Sequence, residues 1–194
     1  VPVRAKDSPG FIANRLSRPF FVIAMEMLES GAGTPAEIDR AMRESGAFKM
    51  GPFELMDFIG LDVNLAIART VFDGLGRPDN LRALRVEEEL VKRGQLGRKA
   101  GKGFYLYGEE KPEENPMIKE ILRTVSTPPA PLGPPPLKGE EFVRKIVGGV
   151  IVEANRAYAE DVASREEIDT VMKIGMSWPK GPFEWEKELR SGDA

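Results

Sequence analysis

Apolar residues along this chain recur at the spacing of helices. Across residues 10–30 they return every three to five positions, which places them on one face of a helix. Pro19 lies inside this stretch and cannot donate to the carbonyl of Arg15, so a kink is predicted near Asn14 and Arg15. Strand-like alternation is confined to the short segment 103–107. The pattern predicts an all-α fold.

Two proline-led sequences predict where further helices begin. Residues 34–37 read Thr-Pro-Ala-Glu, a capping box with proline at the first helical position. Residues 51–54 read Gly-Pro-Phe-Glu and predict another start of this kind. The apolar spacing predicts further helices at about 61–75, 80–93 and 116–125.

A proline-rich stretch divides the chain. Residues 127–138 read TPPAPLGPPPLK, and six prolines in twelve positions favour an extended, stiff segment over a helix. We therefore predict a first domain at residues 1–110, a linker at 111–138 and a second, shorter domain at 139–194.

The two predicted domains share a repeated sequence. Residues 38–54 and 168–184 align without a gap at an offset of 130, with seven of seventeen positions identical. The capping box recurs in register at residues 164–167. This indicates an internal duplication, and two short helical copies would bury most surface by packing about a pseudo-twofold axis, as subunits of a symmetric dimer do.

Composition excludes several function classes. A formal net charge of -3 supplies no basic field for nucleic acid, and no apolar run reaches the length of a membrane span. We predict no nucleic-acid or membrane partner and a cytoplasmic location. The chain has no cysteine and no histidine, so it cannot supply a histidine general acid or base. No set of acidic side chains has metal-ligand spacing.

Three polar features are candidates for chemistry. Asn14 stands at a helix start, where an amide can donate to a substrate oxygen, although a surface or capping asparagine is the simpler interpretation. Glu54 and Glu184 are duplicated carboxylates that could form an acid–base pair. Their place in the first turn of a proline-led helix favours capping. Trp178 and Trp185 are interpreted as core or interface residues.

The glycine-rich stretch 94–103 resembles a phosphate loop but lacks the required spacing. Gly97 and Gly101 are separated by three residues, whereas the Walker sequence needs four and a following Ser or Thr. No strand precedes it, as a dinucleotide fingerprint requires. Its cations could contact a phosphate-bearing ligand, but a solvated turn that brings Phe104 and Tyr105 into the core is the favoured interpretation.

Several of these segments occur in an order and spacing that resemble the C-terminal domain of the 3-hydroxyacyl-CoA dehydrogenase family. The likeness covers residues 1 to about 108, and residues from about 140 to 194 resemble the same domain more loosely, without the PGFIANRL segment. The segments are DSPGFIANRL (7–16), LESGAGTPAEIDRAM (28–42), GPFELMDFIGLD (51–62) and GQLGRKAGKGFYLY (94–107).

The resemblance implies a fold and an activity. The family oxidises (S)-3-hydroxyacyl-CoA to 3-oxoacyl-CoA with NAD, in fatty-acid β-oxidation or 3-hydroxybutyryl-CoA metabolism. A Rossmann domain binds NAD and carries the catalytic histidine and glutamate, while a helical domain of the 6-phosphogluconate-dehydrogenase C-terminal type serves substrate contact and dimerisation. We therefore expect two such copies packed as an internal pseudo-dimer, no cofactor or metal site in these residues, and no activity without the NAD domain.

The resemblance also implies partners and site residues. Acyl-CoA and an N-terminal Rossmann domain are expected partners, with an enoyl-CoA hydratase domain following in some relatives. Asn14 matches the active-site asparagine and is expected to hold the C3 oxygen of the substrate. Phe48, Met50 and Pro52 are expected to contact substrate, although this chain has Phe-Lys-Met where the family usually has aromatic-Pro-Met. The alternative is a free-standing helical dimerisation module without catalysis.

Overall fold

The computed structural model describes residues 2–125 and 137–192, so the prolines at 128–136 lie outside the described residues. The described chain forms the helices α1 (Ala13–Glu29), α2 (Pro35–Glu44), α3 (Pro52–Ile59), α4 (Leu61–Gly74), α5 (Arg85–Lys92), α6 (Met117–Val125), α7 (Gly139–Ala159), α8 (Arg165–Gly175) and α9 (Pro182–Ser191). A two-stranded antiparallel hairpin, β1 (Tyr105–Leu106) with β2 (Glu113–Glu114), is the one sheet in these ranges. The all-α prediction is confirmed.

Helix α6 lies inside the stretch predicted as linker. Its apolar face buries Ile118, Ile121 and Val125, and the helix packs against α5. Strand β2 precedes it and pairs with β1. We therefore call residues 2–125 the first helical unit, which includes α6, and residues 137–192 the second helical unit.

Helix α1 is the centre of the fold. It runs through Pro19 as one continuous helix and buries a long apolar face that includes Leu16 and Phe20. The helix starts only six residues before Pro19, so the missing donor falls in its second turn. Two arginines, Arg15 and Arg18, are also buried on α1, which is unusual unless each has partners.

Helices α1 and α7 pack against each other along the middle of the molecule. They approach closely at Pro19 and Gly149, which stand 130 positions apart. A Cβ atom on Gly149 would lie 2.0 Å from Cδ1 of Ile23 and 3.6 Å from Cβ of Pro19. The absence of a side chain at this position allows the approach.

Local geometry recurs at the same offset of 130. Oδ1 of Asp39 accepts the backbone N–H of Phe53 at 2.9 Å, and Oδ1 of Asp169 accepts that of Phe183 at 2.9 Å. In each case a buried or half-buried carboxylate meets the free amides at the start of a helix. The repeated sequence thus folds into repeated contacts.

The turns between these helices match as well. Thr34 and Ser164 both form capping boxes with the glutamate three residues later. Ala47 and Ser177, which are also 130 apart, both adopt positive φ, at 56° and 54°. Non-glycine residues seldom adopt this conformation, so the match is specific.

An aromatic cluster fills the space between the two units. The ring centroids of Phe48 and Trp178 lie 5.4 Å apart, and those of Phe20 and Trp178 lie 5.2 Å apart. Trp185 stacks on Phe48 at 6.5 Å. Both tryptophans are buried, which confirms their interpretation as core or interface residues.

Candidate functional site

Asn14 lies in the first turn of α1 with its side chain exposed. Its backbone carbonyl accepts the hydroxyl of Ser17 at 3.2 Å. Within residues 2–125 and 137–192, the Asn14 side-chain amide has no hydrogen-bond partner. An exposed amide with unused donors and an unused acceptor can bind an external polar group.

A tight turn at Gly10 and Phe11 precedes Asn14. Gly10 and Phe11 both adopt positive φ, at 78° and 49°. A Cβ atom on Gly10 would lie 2.8 Å from Cγ2 of Val71 and 2.9 Å from the backbone nitrogen of Arg15, so this position requires glycine. The Phe11 ring remains 56% exposed, which is unusual for phenylalanine. An exposed apolar ring at Phe11 and an exposed amide at Asn14 therefore lie three residues apart in one segment.

Arg15 follows Asn14 and is fixed by the second helical unit. Its Nε donates to Oε1 of Glu153 at 2.7 Å, and Nη1 and Nη2 donate to the two oxygens of Glu160 at 2.6 and 3.1 Å. Arg15 is 2% exposed and Glu153 is 1% exposed. The hydrogen bonds from Arg15 hold the pKa of the Glu160 carboxyl below its ordinary value.

A second buried arginine lies one turn further along α1. Nη1 of Arg18 donates to Oδ1 of Asn64 at 2.9 Å, and Nδ2 of Asn64 donates to Oε1 of Glu87 at 2.7 Å. Burial lowers the pKa of Arg18 and raises the pKa of Glu87. Among the described residues, Nε and Nη2 of Arg18 and Oε2 of Glu87 have no hydrogen-bond partner.

The sequence interpretation missed these buried ionic groups. Every residue from Arg15 to Val22 is buried, so this part of α1 is covered on all sides. The apolar spacing of the sequence marks only one face, and it gives no signal for an arginine buried outside that face. The carboxylate partners could not be found from spacing either, because Glu153 lies 138 positions from Arg15.

The three residues predicted to contact substrate differ in how far they are buried. Phe48 is 4% exposed and packs among the rings of the aromatic cluster. Pro52 is buried at the first position of α3, and Met50 is half-buried. Packing accounts for Phe48 and Pro52 in this arrangement, and a contact with substrate stays a prediction for all three residues.

Glu54 and Glu184 cap helices. Oε2 of Glu54 accepts the N–H of Gly51 at 3.2 Å, and Oε2 of Glu184 accepts that of Gly181 at 2.9 Å. Each also forms an ion pair, Glu54 with Arg43 and Glu184 with Lys173. The capping interpretation is confirmed for both.

The glycine-rich stretch 94–103 wraps a buried carboxylate. Oδ1 and Oδ2 of Asp57 accept the N–H groups of Phe104 and Tyr105, both at 2.9 Å. Cβ atoms on Gly97 and Gly103 would lie 2.4 and 2.0 Å from oxygen atoms of Asp57. Gly97 and Gly103 allow this close packing. Phe104 and Tyr105 are buried as predicted.

Two features are absent from residues 2–125 and 137–192. No group of three or more Asp or Glu side chains there could hold a metal ion. No helix in those ranges has both the length and the apolar composition needed to cross a bilayer.

The fold and site define an all-helical unit with an exposed amide at the start of its central helix. The profile of the 3-hydroxyacyl-CoA dehydrogenase C-terminal domain matches residues 10–107 and 142–190. The chain belongs to the 3-hydroxyacyl-CoA dehydrogenase family, which confirms the resemblance seen in the sequence.

Known proteins match both helical units. The 3-hydroxyadipyl-CoA dehydrogenase of Escherichia coli K12 is 28% identical over 257 residues, covering 97% of this chain and 54% of that protein. The peroxisomal bifunctional enzyme of Danio rerio is 28% identical and covers 93% of this chain and 26% of that protein. The crystal structure of 3-hydroxybutyryl-CoA dehydrogenase from Escherichia coli K12 matches with a TM-score of 0.80 at 27% identity, covering 97% of this chain and 54% of that one.

The chain thus spans about half of the Escherichia coli relative and about a quarter of the zebrafish one. The family is one of NAD-dependent oxidoreductases that act on acyl-CoA substrates.

Proposed function

We propose that this chain is the substrate-side helical part of an NAD-dependent (S)-3-hydroxyacyl-CoA dehydrogenase, with Asn14 in its active site. The observation that carries the proposal is the exposed, unpaired amide of Asn14 at the head of α1. The Gly10–Phe11 turn is found in the same segment, and the family profile begins at Gly10.

Asn14 would act by a hydrogen bond. Its Nδ2 would donate to the C3 oxygen of the substrate, which orients the reacting carbon and stabilises negative charge that develops on the oxygen. Such a donor must be held in place before substrate arrives, because a small misplacement costs much of the rate. The exposed Phe11 ring would offer apolar surface next to this contact.

NAD would be bound by a Rossmann domain outside these 194 residues, which would also supply the acid–base histidine that this chain lacks. The glycine-rich stretch 94–103 packs on Asp57, and this supports placing the cofactor elsewhere. The bifunctional name of one relative is compatible with a further hydratase domain in some members. We also keep the cytoplasm as the predicted location.

The two helical units would be an internal pseudo-dimer that arose by duplication. The paired contacts of Asp39 and Asp169, and the two ranges matched by one family profile, support this proposal. The second unit has an arginine, Arg144, at the position that matches Asn14. It would therefore contribute no second amide of this kind.

The proposal is tested on the full-length protein that carries this chain. We expect NADH to be consumed when acetoacetyl-CoA is added, and Asn14→Ala to slow turnover by roughly 100-fold, the usual order for loss of one donor to a developing oxyanion. Asn155→Ala, which removes a side chain that bonds within the second unit, is the matched control and should leave the rate unchanged.

Two outcomes would count against the proposal. Full turnover by Asn14→Ala would remove Asn14 from the active site. No NADH consumption with any 3-oxoacyl-CoA, by a protein that remains folded, would favour the alternative of a helical dimerisation module.

A further inference from the structure

The second helical unit binds the side chain of Arg15, the residue that follows Asn14. All three nitrogens of the Arg15 guanidinium donate to carboxylates of α7 and its C-terminal end, with Glu153 on Nε and Glu160 on Nη1 and Nη2. The guanidinium has five N–H donors in a rigid, planar fork, so three fixed contacts set its orientation as well as its position.

The chain before Asn14 is held by the same unit. The backbone N–H of Lys6 donates to the carbonyl of Val162 at 2.8 Å, and Nζ of Lys6 reaches the carbonyl of Glu160 at 3.3 Å. The second unit therefore binds the segment on both sides of the Gly10–Phe11 turn.

Glu153 connects this segment to another part of the first unit. Its second oxygen, Oε2, accepts Nδ2 of Asn80 at 3.2 Å and lies 3.6 Å from Nη1 of Arg156. Nη1 of Arg156 in turn donates to Oδ1 of Asn80 at 3.0 Å. Both oxygens of this buried carboxylate are thus engaged, one on each of two separate segments.

The arrangement is better suited to fixing geometry than to adding stability. Removing two charges from water costs about as much free energy as their attraction returns, so a buried ion pair is weak evidence of stabilisation. The Asn14 side chain has no hydrogen bond of its own within the described ranges. Its position is therefore set by the first turn of α1, and Arg15 is the polar anchor of that turn.

We infer that Glu153 of the second unit is a positioning residue for Asn14, acting through Arg15. This inference rests on the proposed function and deepens it. The second unit, which carries Arg144 where the first carries Asn14, would still serve the active site by holding the start of α1. The helical pair would then act in catalysis as one piece.

The test compares variants of the full-length enzyme. Glu153→Gln keeps the size of the side chain and an oxygen that can accept from Nε of Arg15, but it removes the negative charge. We expect turnover to fall by roughly 10- to 100-fold, because a displacement of a substrate-binding group by about 1 Å can cost that much. The KM for NADH should not change. Glu140→Gln, on an exposed position of the same helix, is the control and should behave as the parent enzyme.

A double variant separates positioning from a general loss of structure. If Glu153 acts through Asn14, then Asn14→Ala with Glu153→Gln should be no slower than Asn14→Ala alone, because residues that act as a unit are not additive. A purely structural role predicts that the two losses multiply, and that result would overturn the inference.

Glu160→Gln tests the inference in case Glu153→Gln does not fold. Glu160 is 54% exposed, so Glu160→Gln should fold and should slow turnover in the same direction but less. If Asn14→Ala slows the enzyme while neither glutamate variant does, the positioning inference fails and the proposed function stands. If Asn14→Ala has no effect, both fail.

Discussion

Phe48 and Trp178 stand 130 positions apart, occupy matching places in the two helical units, and touch each other. Their ring centroids are 5.4 Å apart and the ring planes meet at 78°, an edge-to-face contact. In the proposed internal pseudo-dimer, two matching residues can touch only where both lie close to the pseudo-twofold axis. Pro19 and Gly149, the matching pair on α1 and α7, lie close together in the same way.

A double-mutant cycle on Phe48 and Trp178 should reveal this contact. We expect Phe48→Leu and Trp178→Leu each to destabilise the protein by about 1–3 kcal/mol, as buried core changes usually do. The pair should show a coupling of about 0.5–1.5 kcal/mol in chemical denaturation, the usual range for an aromatic pair. Phe104→Leu, whose ring contacts Phe53 instead, is the control and should be additive with Trp178→Leu. Additivity of the Phe48 and Trp178 changes would contradict a direct contact.

Adjacent glycines on α7 should respond differently to alanine. A Cβ atom on Gly148 meets nothing within 4 Å, so Gly148→Ala should stabilise the helix by about 0.5–1 kcal/mol. A Cβ atom on Gly149 would force Ile23 to move, and overpacking of this kind costs about 1–3 kcal/mol. Thermal unfolding of the two variants should place Gly149→Ala below Gly148→Ala. Equal gains would mean that the α1–α7 approach is looser than described.

The glycine-rich stretch offers a second matched pair. Gly94 and Gly97 both adopt positive φ, at 69° and 87°, so alanine is strained at both. Gly97 combines this φ with a ψ of -155°, a conformation that is essentially restricted to glycine. Only at Gly97 would the new Cβ also meet backbone, 2.4 Å from the carbonyl oxygen of Asp57. We expect Gly97→Ala to lose several kcal/mol of stability, measured by urea unfolding, and Gly94→Ala to lose about 1 kcal/mol. A Gly97→Ala protein of normal stability that failed to bind a phosphate-bearing ligand would instead support a ligand loop.

The Arg15–Glu160 contact should make stability depend on acid pH. Arg15 holds the folded-state pKa of Glu160 below the ordinary value of 4.5. A lowered folded-state pKa gives stability that is present above the unfolded-state pKa and is lost as the pH falls through the folded-state pKa. The difference in stability between the parent protein and Glu160→Gln should therefore be largest near neutral pH and shrink below about pH 4.5. A difference that stayed constant down to about pH 3 would contradict the assignment.

Much of the secondary structure could be predicted because its causes are local. The capping boxes at Thr34 and Ser164 and the prolines that open α3 and α9 are read directly from neighbouring residues. The predicted linker at 111–138 includes the helix that the apolar spacing predicted at 116–125, because proline content marks a break in the chain without showing where packing resumes. Helix α6 lies inside that stretch and packs by its apolar face.

The candidate site was predicted less completely. Asn14 could be chosen from the resemblance, but an exposed asparagine has no local pattern that distinguishes it from a surface residue. The importance of Glu153 could not be predicted at all, since a glutamate on an amphipathic helix is normally solvated. Its partner Arg15 is 138 positions away, and only a folded chain shows which charge meets which.

The sequence by itself determined the helical period, the helix starts and the repeat at an offset of 130, because each depends on residues within a few turns or on direct comparison of segments. The tertiary structure alone decided that α1 and α7 meet at Pro19 and Gly149, and that the guanidinium of Arg15 is buried between two carboxylates of the second unit. It also left the Asn14 amide exposed. These contacts and exposures depend on how segments that are distant in the sequence pack together. Packing decides which backbones meet and which charges are buried, whereas the conformational preferences of neighbouring residues do not.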